Sequence, residues 1–167
     1  AASDVYKRQF SNDGTKMFLT GNNGDDVNEY TLSTGFDVST ASFVDSFDIS
    51  SQEEGPRDLA FNADGTKMFV VGVLGDDVNE YTLSTAFDVS TSTFVDSFDI
   101  SSQEDSPTGL AFSKDGTKMF VAGNGGDDIN EYTLSTGFDV STASFVDSFD
   151  ISSQDTAPNG LTFNSDG

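Results

Sequence analysis

The sequence contains no cysteine, no histidine and no tryptophan among its 167 residues. Without cysteine, the chain has no disulfides, thiol nucleophiles or cysteine-ligated zinc sites. Without histidine, it lacks the usual general base, the Ser-His-Asp triad and the commonest transition-metal ligand. Any catalysis must therefore rest on carboxylates, tyrosine, lysine or a bound hard cation such as Ca²⁺.

Basic residues are also scarce, with 7 Lys and Arg against 29 Asp and Glu and a net charge of −22. This charge repels a phosphate backbone and an anionic lipid surface, so we expect neither nucleic-acid binding nor membrane insertion by this segment. A protein, a small cationic ligand or a carbohydrate remains open as a partner. An acidic surface that serves solubility alone is an equally good interpretation. The 16 Phe can supply a hydrophobic core.

Both ends of the sequence are unusual. It starts "AASDVYKRQ" without Met and stops at "FNSDG", inside a motif that continues in each earlier copy. We therefore expect a piece of a longer protein. The ends do not indicate its location, for which an extracellular or cell-envelope site is a separate hypothesis. The stretch "DVYKRQ" resembles the translation of a transposon-end adaptor used to fragment DNA libraries. That resemblance implies a metagenomic fragment whose residues 1–9 are a non-native scar outside the fold, the alternative being a genuine N-terminal strand.

An internal repeat organises the rest of the chain. "GDDVNEYTLST" occupies residues 24–34, recurs at 75–85, and returns at 126–136 with one Val changed to Ile. Phe10, Phe61, Phe112 and Phe163 start successive units of 51 residues. The repeat region 10–167 therefore divides into 10–60, 61–111, 112–162 and a partial fourth unit at 163–167. Such a period predicts a solenoid, a propeller or another repeat array.

Four short strands are predicted in each unit. In the second unit they are "DLAF" (58–61), "KMFVVG" (67–72), "VNEYTLS" (78–84) and "FVDSFDI" (94–100). The first two flank an Asp-Gly turn, which is a strong hairpin signal. Period-two alternation places Tyr81 with Leu83 on one face, and Phe94, Phe98 and Ile100 together on another. We expect the repeated phenylalanines to form the core.

The segments "FNADGTKMFVVG" and "FSKDGTKMFVAG" resemble the Asp-Gly hairpin of YVTN-type, WD40-like and lactonase-type propeller repeats. The resemblance implies an all-β fold, a β-propeller built of four-stranded antiparallel blades. Three repeats plus the start of a fourth are fewer than the usual 4 to 8 blades, so we expect an incomplete propeller. Further blades of the same chain or self-association would close it.

One rim of such a structure should carry the ligand site. The second-to-third strand connection and the connection to the next blade open on the same side, here called the first rim. Most non-conservative differences between repeats fall there; Arg57, for example, is replaced by Thr108 and Asn159. Varied loops on a constant scaffold are where recognition usually lies. The candidate ligand residues are Asn22, Asn23, Glu53, Glu54, Arg57, Val73, Leu74, Glu104, Asp105 and Asn124.

Paired carboxylates on the same rim could offer oxygen ligands to Ca²⁺. The candidate metal ligands are Asp25, Asp26, Asp76, Asp77, Asp127 and Asp128. Ordinary turn chemistry, in which an aspartate bonds its own backbone, is the favoured alternative. Glu29, Glu80 and Glu131 lie in mid-strand, where we expect exposed or laterally paired side chains.

Two functions fit the sequence. The first is a non-enzymatic repeat module for binding or scaffolding in a larger, exported protein. The second, implied by the resemblance, is a lactonase-like hydrolase that uses carboxylates and a divalent cation. Nearly identical blades without a unique catalytic group favour the first, so no residue is assigned a catalytic role.

Overall fold

The computed structural model describes residues 5–21 and 23–164, with the backbone alone for residues 5–8. Its strands form three four-stranded antiparallel sheets, each in sequence order. Blade 1 comprises β1 (Val5–Phe10), β2 (Lys16–Gly21), β3 (Asp26–Leu32) and β4 (Ala41–Asp48). Blade 2 comprises β5 (Pro56–Phe61), β6 (Lys67–Gly72), β7 (Asp77–Leu83) and β8 (Ser92–Asp99). Blade 3 comprises β9 (Pro107–Phe112), β10 (Lys118–Gly123), β11 (Asp128–Leu134) and β12 (Ala143–Asp150).

The N-terminal segment belongs to the fold. Strand β1 pairs with β2 from Val5 to Phe10, as β5 and β9 pair with their neighbours. In addition, Oε1 of Gln9 accepts a hydrogen bond from the backbone N–H of Phe61 at 3.1 Å. The exclusion of residues 1–9 from the fold is therefore wrong for residues 5–9, because a backbone ladder needs no particular side chains. The adaptor origin of this segment stays a prediction.

The predicted strands are otherwise present with small changes at their ends. Strand β6 has the predicted bounds, while β7 and β8 begin one and two residues earlier than expected. The Asp-Gly turn is also present, with Gly65 at φ 72°. A side chain there would be strained, and a Cβ on Gly65 would lie 2.3 Å from the ring of Phe87. Glycine is therefore required at this turn.

The core lies between neighbouring sheets rather than within one of them. Met68 and Val70 of β6 pack towards blade 1, in a cluster that includes Phe18 and Leu59. Their neighbours Phe69 and Val71 point the other way and join residues of blade 3. Because both faces of β6 are buried, its sequence is a continuous apolar run, as expected for a sheet covered on both sides.

The outermost strands depart from the predicted pattern. Phe94 is 40% exposed and its counterpart Phe43 is 58% exposed, so this column is not core. The cause is a β-bulge, since Glu80 pairs with Asp96 whereas Tyr81 pairs with Phe94, which shifts the alternation by one residue. Phe94 packs edge-on against Tyr81 on the outside of the blade, with ring centroids 5.8 Å apart.

A 3₁₀ turn lies between the third and fourth strand of each blade, and the turns of blades 2 and 3 contact the preceding blade. These turns are Val38–Thr40, Val89–Thr91 and Val140–Thr142. Within the described residues, no helix has the length and apolar character needed to cross a bilayer.

Ion pairs hold the turns of blades 2 and 3 against the preceding blade. Lys67 and Glu80, on adjacent strands of blade 2, pair at 2.5 Å. The other oxygen of Glu80 accepts the N–H of Val140 at 3.0 Å, and Lys67 donates to the carbonyl of Phe138 at 2.6 Å. Blade 1 holds the turn of blade 2 in the same way, through Lys16 and Glu29. We call this arrangement the clamp; it confirms the expected lateral pairing of these glutamates and shows that Glu80 is buried.

Candidate ligand site at the first rim

Bulges at the start of the inner strands shape the first rim. Pro56 pairs with Gly72 and Asp58 with Val71, so Arg57 is the extra residue of a bulge. Thr108 occupies the same position in blade 3, between the pairs made by Pro107 and Gly109. A bulge takes a side chain out of the regular alternation of a strand. It therefore allows Arg57 and Thr108 to project at the rim.

These side chains line a small polar cavity of about 110 Å³, here called the rim cavity. Its walls are Arg57, Ser106, Thr108, Asn124 and Asn159. Three of the five, Arg57, Thr108 and Asn159, occupy the same position of successive repeats. The structure thus brings together two candidates, Arg57 and Asn124, with residues from the next two units.

The cavity's hydrogen-bond groups are partly engaged already. The hydroxyl of Thr108 donates to the carbonyl of Pro158 at 2.6 Å, and the amide of Asn159 donates to the carbonyl of Ala157 at 3.1 Å. These bonds hold the wall formed by residues 157–159. What the cavity offers a ligand is a guanidinium, hydroxyls and amides, with no carboxylate among the lining residues.

A larger cavity of about 490 Å³ lies along the inner strands towards the opposite rim. Its apolar lining is repeated from unit to unit, with Leu59, Leu110 and Leu161 at one position and Phe61, Phe112 and Phe163 at another. Because identical apolar side chains recur around it, this part of the lining distinguishes no single blade. We therefore place the candidate site at the rim cavity.

Asp58, next to Arg57, has a structural role. Its side chain is fully buried, and its two oxygens accept the N–H groups of Leu59 and Leu110, both at 2.6 Å. It thereby joins the inner strands of blades 2 and 3. Its counterparts Gly109 and Gly160 leave no room for a side chain, since a Cβ on Gly109 would lie 2.8 Å from Gly160.

Glu53 and Glu104, two of the candidate ligand residues, are buried and anchor loops. Both side chains are about 1% exposed. Glu53 accepts N–H bonds from Gly55, Leu74 and Gly75, at 2.6, 3.2 and 3.2 Å. Burial raises the pKa of Glu53, and these hydrogen bonds offset part of the rise. Glu53 therefore fastens the loop between blades 1 and 2 to the turn after β6. Glu104 fastens the loop between blades 2 and 3 to the turn after β10.

The paired aspartates lie in turns whose geometry is repeated in each blade. The first of each pair, Asp25, Asp76 and Asp127, has φ between 47° and 51°, in the left-handed region. The second accepts a bond from the asparagine two residues on, at 2.7 Å in each blade. No group of three or more acidic side chains is placed to hold a metal ion in the part of the chain that the structure describes. Calcium binding stays an untested hypothesis.

Asp76 and Asp77 nevertheless lie in an unusual environment. Burial raises the pKa of Asp76, and the negative charges of Asp105 and Asp99 raise it further. Burial is also the main cause of the raised pKa of Asp77. Crowded acids of one sign make this part of the rim receptive to cations.

The remaining rim candidates do not line the rim cavity. Asn23, Glu54, Leu74 and Asp105 are exposed, with Leu74 at 66%. Val73 is half-buried and donates its N–H to the carbonyl of Gly55 at 3.2 Å. Asn22 lies outside the described residues.

Sequence reasoning missed Ser106 as a cavity residue and missed the clamp as a unit. Ser106 has no distinctive pattern in the sequence. The clamp does have one, because Lys16, Lys67 and Lys118 recur every 51 residues and each precedes a glutamate by 13. Three of only seven basic residues at one repeated spacing indicate a structural ion pair.

Comparison with known proteins identifies the fold. No family model matches the chain, and no curated protein matches it. Among solved structures, the β-propeller domain of Cps50 (Swd1) from Myceliophteria thermophila matches 88% of this chain and 43% of its own, with 14% identity and a TM-score of 0.59. The chain has the β-propeller fold.

Two further propeller matches are similar in extent. The periplasmic gluconolactonase PpgL of Pseudomonas aeruginosa shares 18% identity, with a TM-score of 0.59, over 89% of this chain and 41% of its own. Hydrazine synthase of Kuenenia stuttgartiensis shares 18% identity, with a TM-score of 0.66, over the whole of this chain and 42% of its own. The chain therefore spans about two fifths of the length of the structures it matches, as expected for a partial propeller.

Proposed function

We propose that this propeller segment is a non-enzymatic binding module of a larger, exported protein, and that its ligand site is the rim cavity. The observation that carries the proposal is the position of the differences between blades. Arg57, Thr108 and Asn159 replace one another in the repeats and meet at one cavity. A scaffold that repeats most of its other positions and carries non-conservative changes here is organised for recognition.

The chemistry of the cavity favours a carbohydrate that carries a carboxylate or carbonyl group. Arg57 supplies a planar set of N–H donors suited to a carboxylate. Ser106, Asn124 and Asn159 supply the hydroxyl and amide groups that bind sugar hydroxyls. A volume of about 110 Å³ admits part of a sugar rather than a whole oligosaccharide. A small cationic ligand fits less well beside the guanidinium.

Export is supported by one of the structural matches, which is a periplasmic protein. The net charge of −22 also suits a protein that works in salty surroundings, because salt screens the repulsion between its acids.

The binding proposal is tested by titrating the 167-residue chain with gluconate, glucose and spermidine while recording amide NMR spectra. We expect millimolar gluconate to shift the signals of Ser106, Thr108, Asn124 and Asn159. The variant Arg57→Ala should weaken that response about tenfold or more. The control Lys114→Ala removes the same charge from the opposite rim and should leave it unchanged. Shifts that Arg57→Ala does not reduce, or no shifts with gluconate, would overturn the assignment.

The alternative function is hydrolysis of a lactone with a divalent cation. It is favoured by the likeness to a periplasmic gluconolactonase and by the crowded acids Asp76, Asp77 and Asp105. Turnover of gluconolactone above the spontaneous rate, abolished by a chelator and restored by Ca²⁺, would establish it. The variant Asp76→Asn should then lose activity, while Asp45→Asn on the outer strand should not.

A further inference from the structure

Two residues that line the rim cavity are asparagines followed directly by glycine. They form the pairs Asn124-Gly125 and Asn159-Gly160, and the sequence has one other such pair, Asn23-Gly24. Glycine has no Cβ, so its backbone nitrogen can approach the side-chain amide of the residue before it closely. Attack by that nitrogen converts asparagine to aspartate, a reaction called deamidation. Two of the three pairs prone to this reaction therefore belong to the candidate ligand site.

The turn that contains Asn124 is held in place by backbone hydrogen bonds. Residues 124–127 form this turn between β10 and β11. The N–H of Asn124 donates to the carbonyl of Ser106 at 3.0 Å. The N–H of Gly125 donates to Oε1 of Glu104 at 2.8 Å. The nitrogen that attacks the Asn124 side chain in a deamidation thus already faces a carboxylate.

Glu104 differs from its counterpart Glu53 in the way its two oxygens are used. Both oxygens of Glu53 accept backbone N–H groups. In Glu104, Oε1 accepts the N–H groups of Ser106 and Gly125, whereas Oε2 is buried without a hydrogen-bond partner among the described residues. A buried acceptor without a partner is uncommon and costs free energy. Glu104 therefore has an oxygen that is able to take up a proton.

The two asparagines of the cavity differ in how their side chains are held. The amide of Asn159 donates to the carbonyl of Ala157 at 3.1 Å, which restricts its rotation. The side chain of Asn124 lines the cavity without a hydrogen bond to any residue that the structure describes. It is therefore free to rotate towards the nitrogen of Gly125, and we expect it to react first.

We propose that Asn124 is a site of spontaneous deamidation, with Glu104 as the general base. The carboxylate takes the proton of the Gly125 N–H while the nitrogen bonds to Cγ of Asn124. The bond from Cγ to Nδ2 then breaks, the proton passes to the departing nitrogen, and ammonia leaves. Water opens the resulting cyclic imide and leaves aspartate or isoaspartate at position 124. Nothing is oxidised or reduced, and water is the only co-reactant.

Deamidation changes which ligands the rim cavity admits. The product adds a negative charge to a cavity whose lining includes Arg57. A carboxylate at position 124 pairs with the guanidinium, which is then no longer available to an anionic ligand. This consequence rests on the proposed function, whereas the reaction itself does not. The cavity thus loses its preference for anions as the protein ages.

The test is the rate of deamidation at each Asn-Gly pair of the 167-residue chain, followed by peptide mass spectrometry during incubation at neutral pH. We expect Asn124 to react faster than Asn159 and faster than Asn23. Asn23-Gly24 serves as the internal reference, because it is an exposed pair in the corresponding turn of blade 1. Equal rates at the three sites, or no reaction at Asn124, would overturn the proposal.

Two variants separate the role of Glu104 as a base from its role in anchoring the turn. Glu104→Gln keeps an oxygen that accepts an N–H but is not a base. It should slow the reaction at Asn124, relative to Asn23 in the same sample, about tenfold or more. Loss of anchoring alone would loosen the turn and accelerate the reaction instead. Glu53→Gln makes the same change in blade 2 and should leave the rate at Asn124 unaltered. An unchanged or faster relative rate in Glu104→Gln contradicts the proposal.

The effect on the cavity is tested with Asn124→Asp, which introduces the product directly. This variant should weaken the response to gluconate in the NMR titration about tenfold or more. Ser42→Asp adds the same charge on the exposed outer strand of blade 1 and should leave the response intact. An undiminished response in Asn124→Asp would overturn the effect on the ligand. Absence of gluconate binding by the unsubstituted chain would overturn the proposed function and this effect together, while the mass measurement decides the reaction by itself.

Discussion

Glu80 on β7 accepts a hydrogen bond from the backbone N–H of Val140 at 3.0 Å, across the boundary between blades 2 and 3. Its other carboxylate oxygen is paired with Lys67. The carboxylate thus links two strands of its own blade to a turn of the next. Because Glu80 is about 2% exposed, this link is made out of reach of bulk water.

Removing this carboxylate should destabilise the protein. We expect Glu80→Ala to lower the free energy of unfolding by about 3–5 kcal/mol, because it leaves Lys67 and the N–H of Val140 without their partner. Glu131→Ala is the matched control in the same position of blade 3. It should change the stability of the protein by no more than about 0.5 kcal/mol, since its pair with Lys118 is open to water. Urea unfolding at low protein concentration measures both, and equal losses would contradict the role of the clamp.

Substitution at the Asp-Gly turn should be costly for two reasons. Gly65→Ala forces a side chain into the left-handed region and towards the ring of Phe87. We expect a loss of about 2–4 kcal/mol, the sum of backbone strain and overpacking. Gly24→Ala is a suitable comparison, because its Cβ would only meet the end of the Asp26 side chain, at 3.0 Å. Thermal unfolding should separate the two variants clearly.

The buried carboxylate of Glu53 should control the turn after β6. Glu53→Ala removes the acceptor for the N–H groups of Leu74 and Gly75, and we expect a loss of about 1–3 kcal/mol. Hydrogen exchange at these two amides should accelerate more than at the β7 ladder. Glu54→Ala, the exposed neighbour, should leave both exchange rates and stability unchanged. Unaltered exchange in Glu53→Ala would show that the turn is held by other contacts.

Stability should pass through a maximum in mild acid. Burial raises the pKa of Glu53, Asp76 and Asp77 in the folded protein. Groups with raised pKa values stabilise the fold at low pH, and that contribution is lost as the pH rises through the raised values. As the pH falls through the raised values towards the ordinary 4.5 of Glu and 3.8 of Asp, the free energy of unfolding should therefore increase.

Below that range the sign reverses. Hydrogen bonds from the following turn residues lower the pKa of Asp13 and Asp115 to about 2, and hydrogen bonds from Thr66 lower that of Asp64. This stabilisation is present above the ordinary value of 3.8 and is lost as the pH falls towards about 2. Urea unfolding from pH 7 to 2 at constant ionic strength measures the free energy of unfolding on both sides of this maximum. Replacing the three aspartates by asparagine should reduce the loss of stability on the acidic side of the maximum and leave the other side unchanged.

The sequence alone predicts the strands that repeat and the turns that connect them. Strand β6 is predicted to the residue because an Asp-Gly turn precedes it and a glycine ends it. The column of Phe94 is predicted wrongly, since a bulge opposite Tyr81 changes which residues share a face and leaves no mark in the composition. Alternation identifies a strand, but it cannot locate an inserted residue.

The site is predicted less well than the fold, for a physical reason. Arg57 is singled out by its difference from Thr108 and Asn159, and the structure places all three around one cavity. Glu53 is a candidate ligand residue by sequence and is buried instead, because two of its three partners are backbone groups more than twenty residues away. Almost every residue has a backbone N–H group. The pattern of side chains in the sequence therefore does not show which carboxylate will accept hydrogen bonds from the backbone.

The position of the core has a consequence for how such a chain can lengthen. Each hydrophobic cluster joins residues of two neighbouring blades, and the middle sheet contributes to both clusters. A duplicated segment of 51 residues therefore adds one new sheet and one new interface between sheets, which has the same composition as the existing ones. Its apolar faces meet surfaces that already fit them, so growth by copying requires no compensating substitution.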